Sequence, residues 1–331
     1  MPEIETTAAV PSAPADPPQQ VEREFTIKAM TQRQLVFRRF FRHRGAMTAL
    51  VVLGAAVLLA FSSIGVAGIP GWWDASYAEA GQVVSGGPTL DVLPSPIDGD
   101  GLQVGAHPFG QDDVGRDYFA LTMRGMQRSL LIALLVGLTA TVIGVVIGSL
   151  AGFFRGKIDA ILMRVTDVIL TIPLLLTAAV VGRTSDGGAV SLALLLGLIV
   201  WTSLARLVRG EFLSLREKEF VEAARALGAS STRIIFRHIV PNTLGTIIVN
   251  ATLTIASAIL LETALSFLGF GVQNPDTSLG KLISDYQTAF QTRPWLFWWP
   301  GLFIVLIALT INFIGDGLRD AFDPKQTRVR A

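Results

Sequence analysis

Long apolar runs are the feature that most constrains how this chain can fold. Residues 46–69 and 129–154 contain no charged side chain. A bilayer core about 30 Å thick needs about 20 apolar residues in a helix that rises 1.5 Å per residue. The runs are nearly continuous in apolarity, whereas the strands of a transmembrane barrel alternate and are about 10 residues long. We therefore predict an all-α integral membrane protein.

Six membrane-spanning helices are predicted within a transmembrane domain that covers residues 46–318. Their expected ranges are 46–69, 129–154, 160–182, 187–205, 239–264 and 295–315. The third span has Asp159, Arg164 and Asp167 around its start, and we expect these charges to pair with one another near the membrane interface.

Composition supports this prediction and excludes several other classes. Of the 331 residues, 51% are hydrophobic and 16% charged, whereas soluble domains carry about 25% charged residues. The chain lacks cysteine, which excludes disulfides, thiolate catalysis and cysteine–zinc sites. Three histidines far apart in sequence argue against a metal site. A net charge of +1 gives no reason to expect nucleic acid as a partner.

The positions of lysine and arginine predict the orientation in the membrane. Segments 23–44, 155–164, 206–237 and 319–330 contain 21 of the 27 basic residues. Cytoplasmic loops carry such an excess of positive charge. We therefore expect both termini and the loop at 206–238 in the cytoplasm, and an acidic loop at 70–128 outside.

The two ends of the chain lie outside the predicted spans. Residues 1–20 are rich in proline and alanine, so we expect a disordered tail, and residues 319–331 are expected to form a cytoplasmic tail. Residues 21–45 interleave arginines with aromatic and aliphatic side chains. This segment is either an amphipathic helix on the membrane surface or a basic flank that orients the first span.

The loop at 206–238 predicts a helix, a sharp turn and a second helix. Residues 211–227 are strong helix formers that end at Gly228, a residue suited to the left-handed position after a helix. Ser230 or Ser231 offers an N-cap for a short helix over 232–238, and Pro241 lies where the next span starts, where a missing N–H does no harm. The element is either a docking surface or a hairpin that connects two spans, although a connector needs only about 2–8 residues.

Glycines on the second span indicate close helix packing. Gly144, Gly148 and Gly152 repeat every four residues, and Gly137 and Ala133 extend the stripe. Small residues at this spacing allow two helix backbones to approach closely. The stripe predicts either a seam within the chain or an interface with another subunit.

Two motifs resemble those of a known family. Glu222, Ala223 and Ala224, with Gly228 and Pro241, resemble the EAA loop of ABC-importer permeases. Residues 107–117, HPFGQDDVGRD, are similar to the HPxGTDxxGRD element of the second permease subunit of dipeptide and oligopeptide importers, with Gln111 in place of threonine. Further similarity covers SLRE at 214–217, ETALSFLGFG at 262–271 and GDGLRDAFDP at 315–324, and the resemblance extends over roughly residues 30–325.

The resemblance implies a type I ABC-importer permease fold with six transmembrane helices and a cytoplasmic coupling helix. It implies a subunit of the bacterial inner membrane that pairs with a homologous permease, with one or two ATPase subunits and with an extracytoplasmic peptide-binding protein. The coupling contact would be made by Glu222, Ala223, Ala224 and Gly228, with Arg225 and Arg233 pairing with acidic groups of the ATPase. Pro241 closes the motif.

This chain is not expected to hydrolyse ATP itself. Its nearest approach to a phosphate-binding loop, at 152–157, is one residue too short and is followed by Ile158. We therefore expect a non-catalytic subunit without a cofactor or metal of its own, while partner ATPases bind ATP and magnesium.

The outer motif has two interpretations. Its residues His107, Gly110, Asp112, Gly115, Arg116 and Asp117 form either an internal turn held by ion pairs or a contact surface for the binding protein. We favour the turn, because Arg116 and Asp117 lie beside glycines.

Three polar residues of the fifth span are candidates for the pathway or gate. Asn250 and Thr252 are expected near the bilayer middle, where they would line the passage. Glu262 lies about 21 residues after Pro241 and is therefore expected near the outer boundary. It either seals the outer mouth or is a structural hydrogen-bond partner.

Other functions remain open from the sequence alone. An ion-coupled secondary transporter would need inverted repeats and charges near the midplane, and neither is evident. A membrane scaffold would leave the coupling loop without a purpose. An ABC importer of another small solute, such as a nickel chelate, glutathione or haem, would fit the same motifs.

Overall fold

The computed structural model describes residues 32–66, 68–83, 86–90, 104–184 and 188–322. The predicted disordered tail at 1–20 and residues 323–331 lie outside this part of the chain. The same is true of the first eleven residues of the predicted interfacial segment.

The described chain is almost entirely helical. In chain order the elements are α1 Gln32–Arg42, α2 Arg44–Ser63, the strands β1 Gly65–Val66 and β2 Ile69–Pro70, α3 Tyr118–Phe154, α4 Gly156–Thr171, α5 Leu174–Thr184, α6 Ala189–Val200 and α7 Thr202–Arg216. There follow α8 Glu219–Ala226, α9 Ser231–Ile234, a π-helical turn Ile235–Ile239, α10 Val240–Phe267, α11 Leu279–Tyr286, a 3₁₀ turn Gln287–Gln291 and α12 Trp295–Phe322.

Four helices of the described chain are each long and apolar enough to cross a membrane. They are α2, α3, the continuous helix Ser231–Phe267 and α12. Two further helix pairs pass the same test together but are bent, by 84° between α4 and α5 and by 45° between α6 and α7. Counting each bent pair as one span gives the six spans expected from the sequence.

The helix ends differ from several predicted boundaries. Helix α2 ends at Ser63, six residues before the predicted end, because the chain turns into a small antiparallel hairpin of β1 and β2. Helix α3 begins at Tyr118, so the last eleven residues of the predicted outer loop are helical. Helix α12 continues to Phe322 and includes the start of the predicted tail.

Only one of the two bends has a proline at its break. Pro173 lies in the break between α4 and α5, where its ring and missing N–H interrupt the helix ladder. No proline or glycine explains the bend at Trp201, whose indole N–H donates a 2.9 Å hydrogen bond to the Leu198 carbonyl.

The glycine stripe of α3 is a seam within the chain. A Cβ atom at Gly148 would lie 2.4 Å from the Ala205 carbonyl oxygen, and one at Gly152 would lie 2.6 Å from Cβ of Phe212. Both contacts are on α7, and only glycine allows two helix backbones to approach this closely. The prediction of an intramolecular seam is confirmed.

The bundle has two chemically distinct ends. At the terminal end, His43 before α2 lies 3.5 Å from Asp320 in the last turns of α12, and a Cβ at Gly245 of α10 would touch Phe322. Helix α1 lies there too and leaves Phe37 and Phe41 exposed. The opposite, loop end carries α11 and the described parts of the loop, residues 68–83, 86–90 and 104–117.

Candidate functional site

Helix α8 forms a bend that projects at the terminal end of the bundle. The helix ends where Gly228 takes a left-handed φ of +79°, and the N–H of Ala229 donates to the carbonyl of Ala224 over 3.0 Å. Ser230 then caps α9 by accepting from the Arg233 N–H. The predicted left-handed glycine and the predicted serine cap are therefore confirmed.

The helices around this bend differ from those predicted. The helix expected over 211–227 is interrupted between Arg216 and Glu219, where α7 gives way to α8. The helix expected over 232–238 does not end before the membrane, because α9 continues through the π turn into α10.

Pro241 lies at the start of α10, as predicted. The helix continues upstream through the π turn and α9, so Pro241 is also inside the longer helix Ser231–Phe267. Just before it, the N–H of Val240 bonds five residues back to Ile235. This widened turn accommodates a ring that would clash with the carbonyl of a regular α-helix.

The two faces of α8 have opposite roles. Val221 and Ala224 are buried in a core with Phe212, Ile234 and Ile239, while Glu222, Ala223 and Arg225 are exposed. The prediction that Ala224 belongs to an outward contact is therefore wrong, because it lies three residues from Val221 and so shares the inward face.

Sequence reasoning missed two apolar side chains beside the bend. Leu227 is 88% exposed and Phe236 is 69% exposed. Exposed apolar side chains ringed by charges are typical of a protein interaction surface. We call Glu222, Ala223, Arg225, Leu227, Gly228, Arg233 and Phe236 the bend surface.

Charged contacts anchor the bend to the membrane helices. Arg155 pairs with Glu217 at 2.7 Å, and Arg216 donates to the carbonyl of Phe153.

The charges around α4 do not pair with one another as predicted. Asp159 instead pairs with Arg209 at 2.5 Å, and Asp167 pairs with Arg206 at 2.5 Å. Both arginines are on α7, so these ion pairs join the two bent spans.

A neutral cavity of about 460 Å³ lies between the two bends and α10. Its polar lining consists of Thr202, Ser203, Asn250, Thr254 and Ser257. The rest of the lining is apolar and includes Pro173 and Val200 at the two bends. No ionisable side chain of the described chain lines it.

The candidate pathway residues do not lie together. Asn250 faces the cavity, whereas Thr252 lies on another face of α10 against Gly315 of α12. Residues two apart on a helix do not share a face. The prediction that both line one passage is therefore not supported.

Glu262 is fully buried away from the cavity. One carboxylate oxygen accepts hydrogen bonds from Ser266 at 2.7 Å and Ser278 at 2.6 Å, and the other accepts from Ser129 at 3.3 Å. These serines belong to α10, the start of α11 and α3. The structure thus supports the structural interpretation of Glu262 rather than a seal.

At the loop end, the outer motif forms a buried turn. The carboxylate of Asp112 is fully buried and accepts from the backbone N–H groups of Val114 at 3.0 Å and Arg116 at 2.7 Å. The Arg116 side chain donates to it at 2.6 Å, and so does the hydroxyl of Tyr286 on α11, at 3.0 Å.

A second aspartate of the motif caps α3. Asp117 accepts from the Ala120 N–H at 2.7 Å and lies 2.7 Å from Nδ1 of His107. Gly110 and Gly115 have φ near +84° and +81°, and a Cβ at Gly115 would lie 2.1 Å from the Gly81 carbonyl oxygen. All six predicted motif residues thus belong to one turn, held by the Asp112–Arg116 ion pair and by the contact between His107 and Asp117.

The buried setting of Tyr286 changes its ionisation. Burial raises the pKa of the Tyr286 hydroxyl, the carboxylate of Asp112 raises it further, and Arg116 opposes the effect. The Tyr286 hydroxyl therefore keeps its proton, and donates to Asp112, at a higher pH than a free tyrosine would. Sequence reasoning missed this residue, because α11 is too short to stand out as an apolar run.

Comparison with known proteins decides the family. Residues 144–328 match the family described as "Binding-protein-dependent transport system inner membrane component". The chain belongs to this family. Residues 31–70 of this permease also match the "N-terminal TM domain of oligopeptide transport permease C", and the family places it in the inner membrane as a multi-pass protein.

Two relatives are similar over most of the permease. The "Oligopeptide transport system permease protein OppC" of Mycobacterium tuberculosis is 41% identical over 302 residues, which are 91% of this chain and 97% of the relative. The protein of the same description from Haemophilus influenzae is 35% identical over 289 residues, or 87% of each chain.

A solved structure supports the fold. A chain from "Inward facing conformations of the MetNI methionine ABC transporter" superposes with a TM-score of 0.51 at 20% identity. It covers 61% of this permease and 96% of its own length. The type I permease fold predicted from the sequence is confirmed.

Proposed function

We propose that this permease is the membrane-spanning subunit of an ATP-driven importer of di- or oligopeptides. The peptide substrate is supported by the two oligopeptide permeases that share 41% and 35% of its aligned residues. The observation that carries the coupling mechanism is the bend surface, which projects between two spans and exposes Leu227 almost completely.

In this mechanism the bend surface docks into a cleft of a partner ATPase. The exposed side chains of Leu227 and Phe236 supply apolar contact, and Arg225 and Arg233 pair with acidic groups of the partner. ATP binding closes the ATPases and displaces α8. The partner chains bind ATP and magnesium and carry out hydrolysis, while this chain is non-catalytic and holds no cofactor.

The displacement reaches the cavity through packed contacts within the permease. Val221 and Ala224 fix α8 to the core that contains Phe212 of α7. Helix α7 begins with Thr202, which lines the cavity, and α10 contributes Asn250. A rigid movement of α8 therefore alters the wall of the cavity, as alternating access requires.

The neutral lining suits a peptide better than a coupling ion. Hydroxyl and amide groups both donate and accept hydrogen bonds, and a peptide backbone presents both kinds of partner. An ion-coupled transporter instead places ionisable groups at its site. We propose that the cavity forms the passage together with a homologous permease subunit.

The orientation and the other partners follow from this assignment. Both termini lie in the cytoplasm, with the bend surface beside the ATPase. The loop end is extracytoplasmic and receives peptide from a binding protein that docks near the outer motif.

Uptake by the purified complex in vesicles tests the proposal. We expect a labelled tripeptide to accumulate only with ATP inside and with the peptide-binding protein outside, and a proton uncoupler to leave the rate unchanged. Uptake that persists without ATP and stops with the uncoupler would contradict the proposal. Co-purification of at least one ATPase with this chain is an independent requirement.

A further inference from the structure

An apolar groove of about 610 Å³ lies on the outside of the bundle between α2, α3, α10 and α12. Its walls include Leu53, Phe61, Leu134, Ile255 and Ile311. Thr252 also lines it, but the Thr252 hydroxyl already donates 2.7 Å to the carbonyl of Val249. Along most of its length the groove therefore offers only apolar contact.

The groove faces away from the cavity. Thr252 and Ile255 of α10 line the groove, whereas Asn250, Leu253 and Thr254 line the cavity. If a second permease covers the cavity, this opposite face of α10 is turned toward lipid. This arrangement favours a lipid over a subunit as the occupant of the groove.

Two arginines line the groove at its loop end. Arg124 and Arg128 lie one turn apart on α3 and both contact Asp276, at 3.3 Å and 2.5 Å. Two guanidinium groups against one carboxylate leave one positive charge in excess. Each guanidinium carries several N–H donors in a geometry that matches a phosphate group, and Asp276 does not accept them all.

The length of the groove matches one leaflet of a bilayer. The ten residues from Arg124 to Leu134 rise about 15 Å, which is about half of a hydrocarbon core about 30 Å thick. Apolar contact for one acyl chain therefore ends at two arginines at the depth of a headgroup. Basic pockets between transmembrane helices bind anionic headgroups on the cytoplasmic side of membranes, and the two guanidinium groups offer the same chemistry at the loop end.

We infer that the groove binds an anionic phospholipid, with its phosphate against Arg124 and Arg128 and one acyl chain along Leu134 and Ile255. Nothing in this inference depends on which solute is transported, so its failure and the failure of the proposed function are distinguishable.

Lipid retention by the full chain with its co-purifying subunits tests the inference. The protein is equilibrated in nanodiscs of equimolar phosphatidylglycerol and phosphatidylcholine with identical acyl chains, and retained lipid is counted by native mass spectrometry. We expect wild-type protein to retain phosphatidylglycerol preferentially. The double variant Arg124→Gln, Arg128→Gln should reduce this preference at least about fivefold.

Matched variants distinguish the effect of the headgroup contact on lipid retention from the effect of the apolar groove. Arg183→Gln removes an exposed arginine of α5 outside the groove and should leave the preference unchanged. Asp276→Asn removes the competing carboxylate and should increase it. Leu134→Trp fills the groove and should reduce retention of both lipids, whereas Leu138→Trp, at a similarly exposed position of α3 outside the groove, should not.

Equal retention of the two lipids by wild-type protein would overturn the inference, as would an unchanged preference in a folded double variant. If the double variant does not fold, the absence of any increase in Asp276→Asn overturns it. If Leu134→Trp instead prevents another membrane subunit from co-purifying, the groove is a protein interface and the inference is wrong.

Discussion

The hydroxyl of Tyr286 donates a 3.0 Å hydrogen bond to Oδ2 of Asp112, which lies 174 positions earlier in the chain. Nη2 of Arg116 in turn donates to the same hydroxyl at 3.2 Å. At its other end, α11 is fixed where the N–H of Leu279 donates to Ser129 on α3 at 3.1 Å. Helix α11 therefore connects the outer motif directly to the membrane helices.

Replacing Tyr286 by phenylalanine should destabilise the loop end. The ring would keep its edge-to-face contact with Tyr118, but the buried Asp112 would lose one donor, which costs about 1–2 kcal/mol. Thermal unfolding of the purified protein measures the loss. Tyr77→Phe is the control, because the described part of the chain gives the Tyr77 hydroxyl no hydrogen-bond partner. An equal loss in both variants would contradict the account.

High pH should weaken the same contact. The raised pKa of Tyr286, caused first by burial and then by Asp112, means that the unfolded chain loses this proton at lower pH than the folded one. The stabilisation is therefore complete below about pH 10 and declines as the pH rises above it. The measurement compares the thermal unfolding midpoint at about pH 8 with the midpoint at about pH 10.5. We expect the midpoint to fall less in Tyr286→Phe than in wild type, because the variant lacks the hydroxyl that loses its proton.

Substitutions of Gly228 should show whether a bulky side chain at the bend blocks uptake. A Cβ there meets no other heavy atom within 4 Å, but a φ of +79° costs most L-residues about 1–2 kcal/mol. Asparagine tolerates this conformation, so Gly228→Asn should keep most ATP-driven uptake. Gly228→Arg adds bulk at the docking surface and should lose uptake while ATPase activity continues. Normal uptake by Gly228→Arg would count against docking at this bend.

The two polar residues of α10 provide a test of the passage. Asn250→Leu removes an amide from the cavity lining at similar volume, so peptide uptake should fall by about tenfold, a loss of about 1.4 kcal/mol. Thr252→Val changes the face of α10 that packs against Gly315 of α12 and should leave uptake near wild type. Both are compared at equal amounts of assembled complex. A larger loss in Thr252→Val would place the passage elsewhere.

The sequence predicts the spans well because a bilayer imposes its thickness on every apolar run. It places the start of α3 too late because Arg124 and Arg128 interrupt the apolar run before Ser129. Asp117 could have indicated the true start of α3, because aspartate is a preferred N-cap residue and its carboxylate caps this helix.

The site is less predictable because it depends on which way each side chain faces. The EAA motif identifies the residues of the bend. Only the burial of Val221 and Ala224 in one core shows that Ala224 faces inward. The i, i+2 spacing of Asn250 and Thr252 likewise separates them. One partner of each carboxylate comes from a segment more than 100 residues away, Ser129 for Glu262 and Tyr286 for Asp112, and only the folded chain brings these groups together.

Modification of one exposed position tests most directly whether the ATP-driven movement reaches this chain through the bend surface. The chain has no cysteine, so Leu227→Cys provides a single thiol in this chain. This thiol is labelled with a bulky maleimide before reconstitution. Ile69→Cys provides a control thiol at the exposed hairpin of the loop end. We predict that labelling Leu227→Cys reduces ATP-driven peptide uptake about tenfold or more, that a bound ATPase protects this thiol, and that labelling Ile69→Cys does neither. Unchanged uptake by fully labelled Leu227→Cys complex would contradict the central claim.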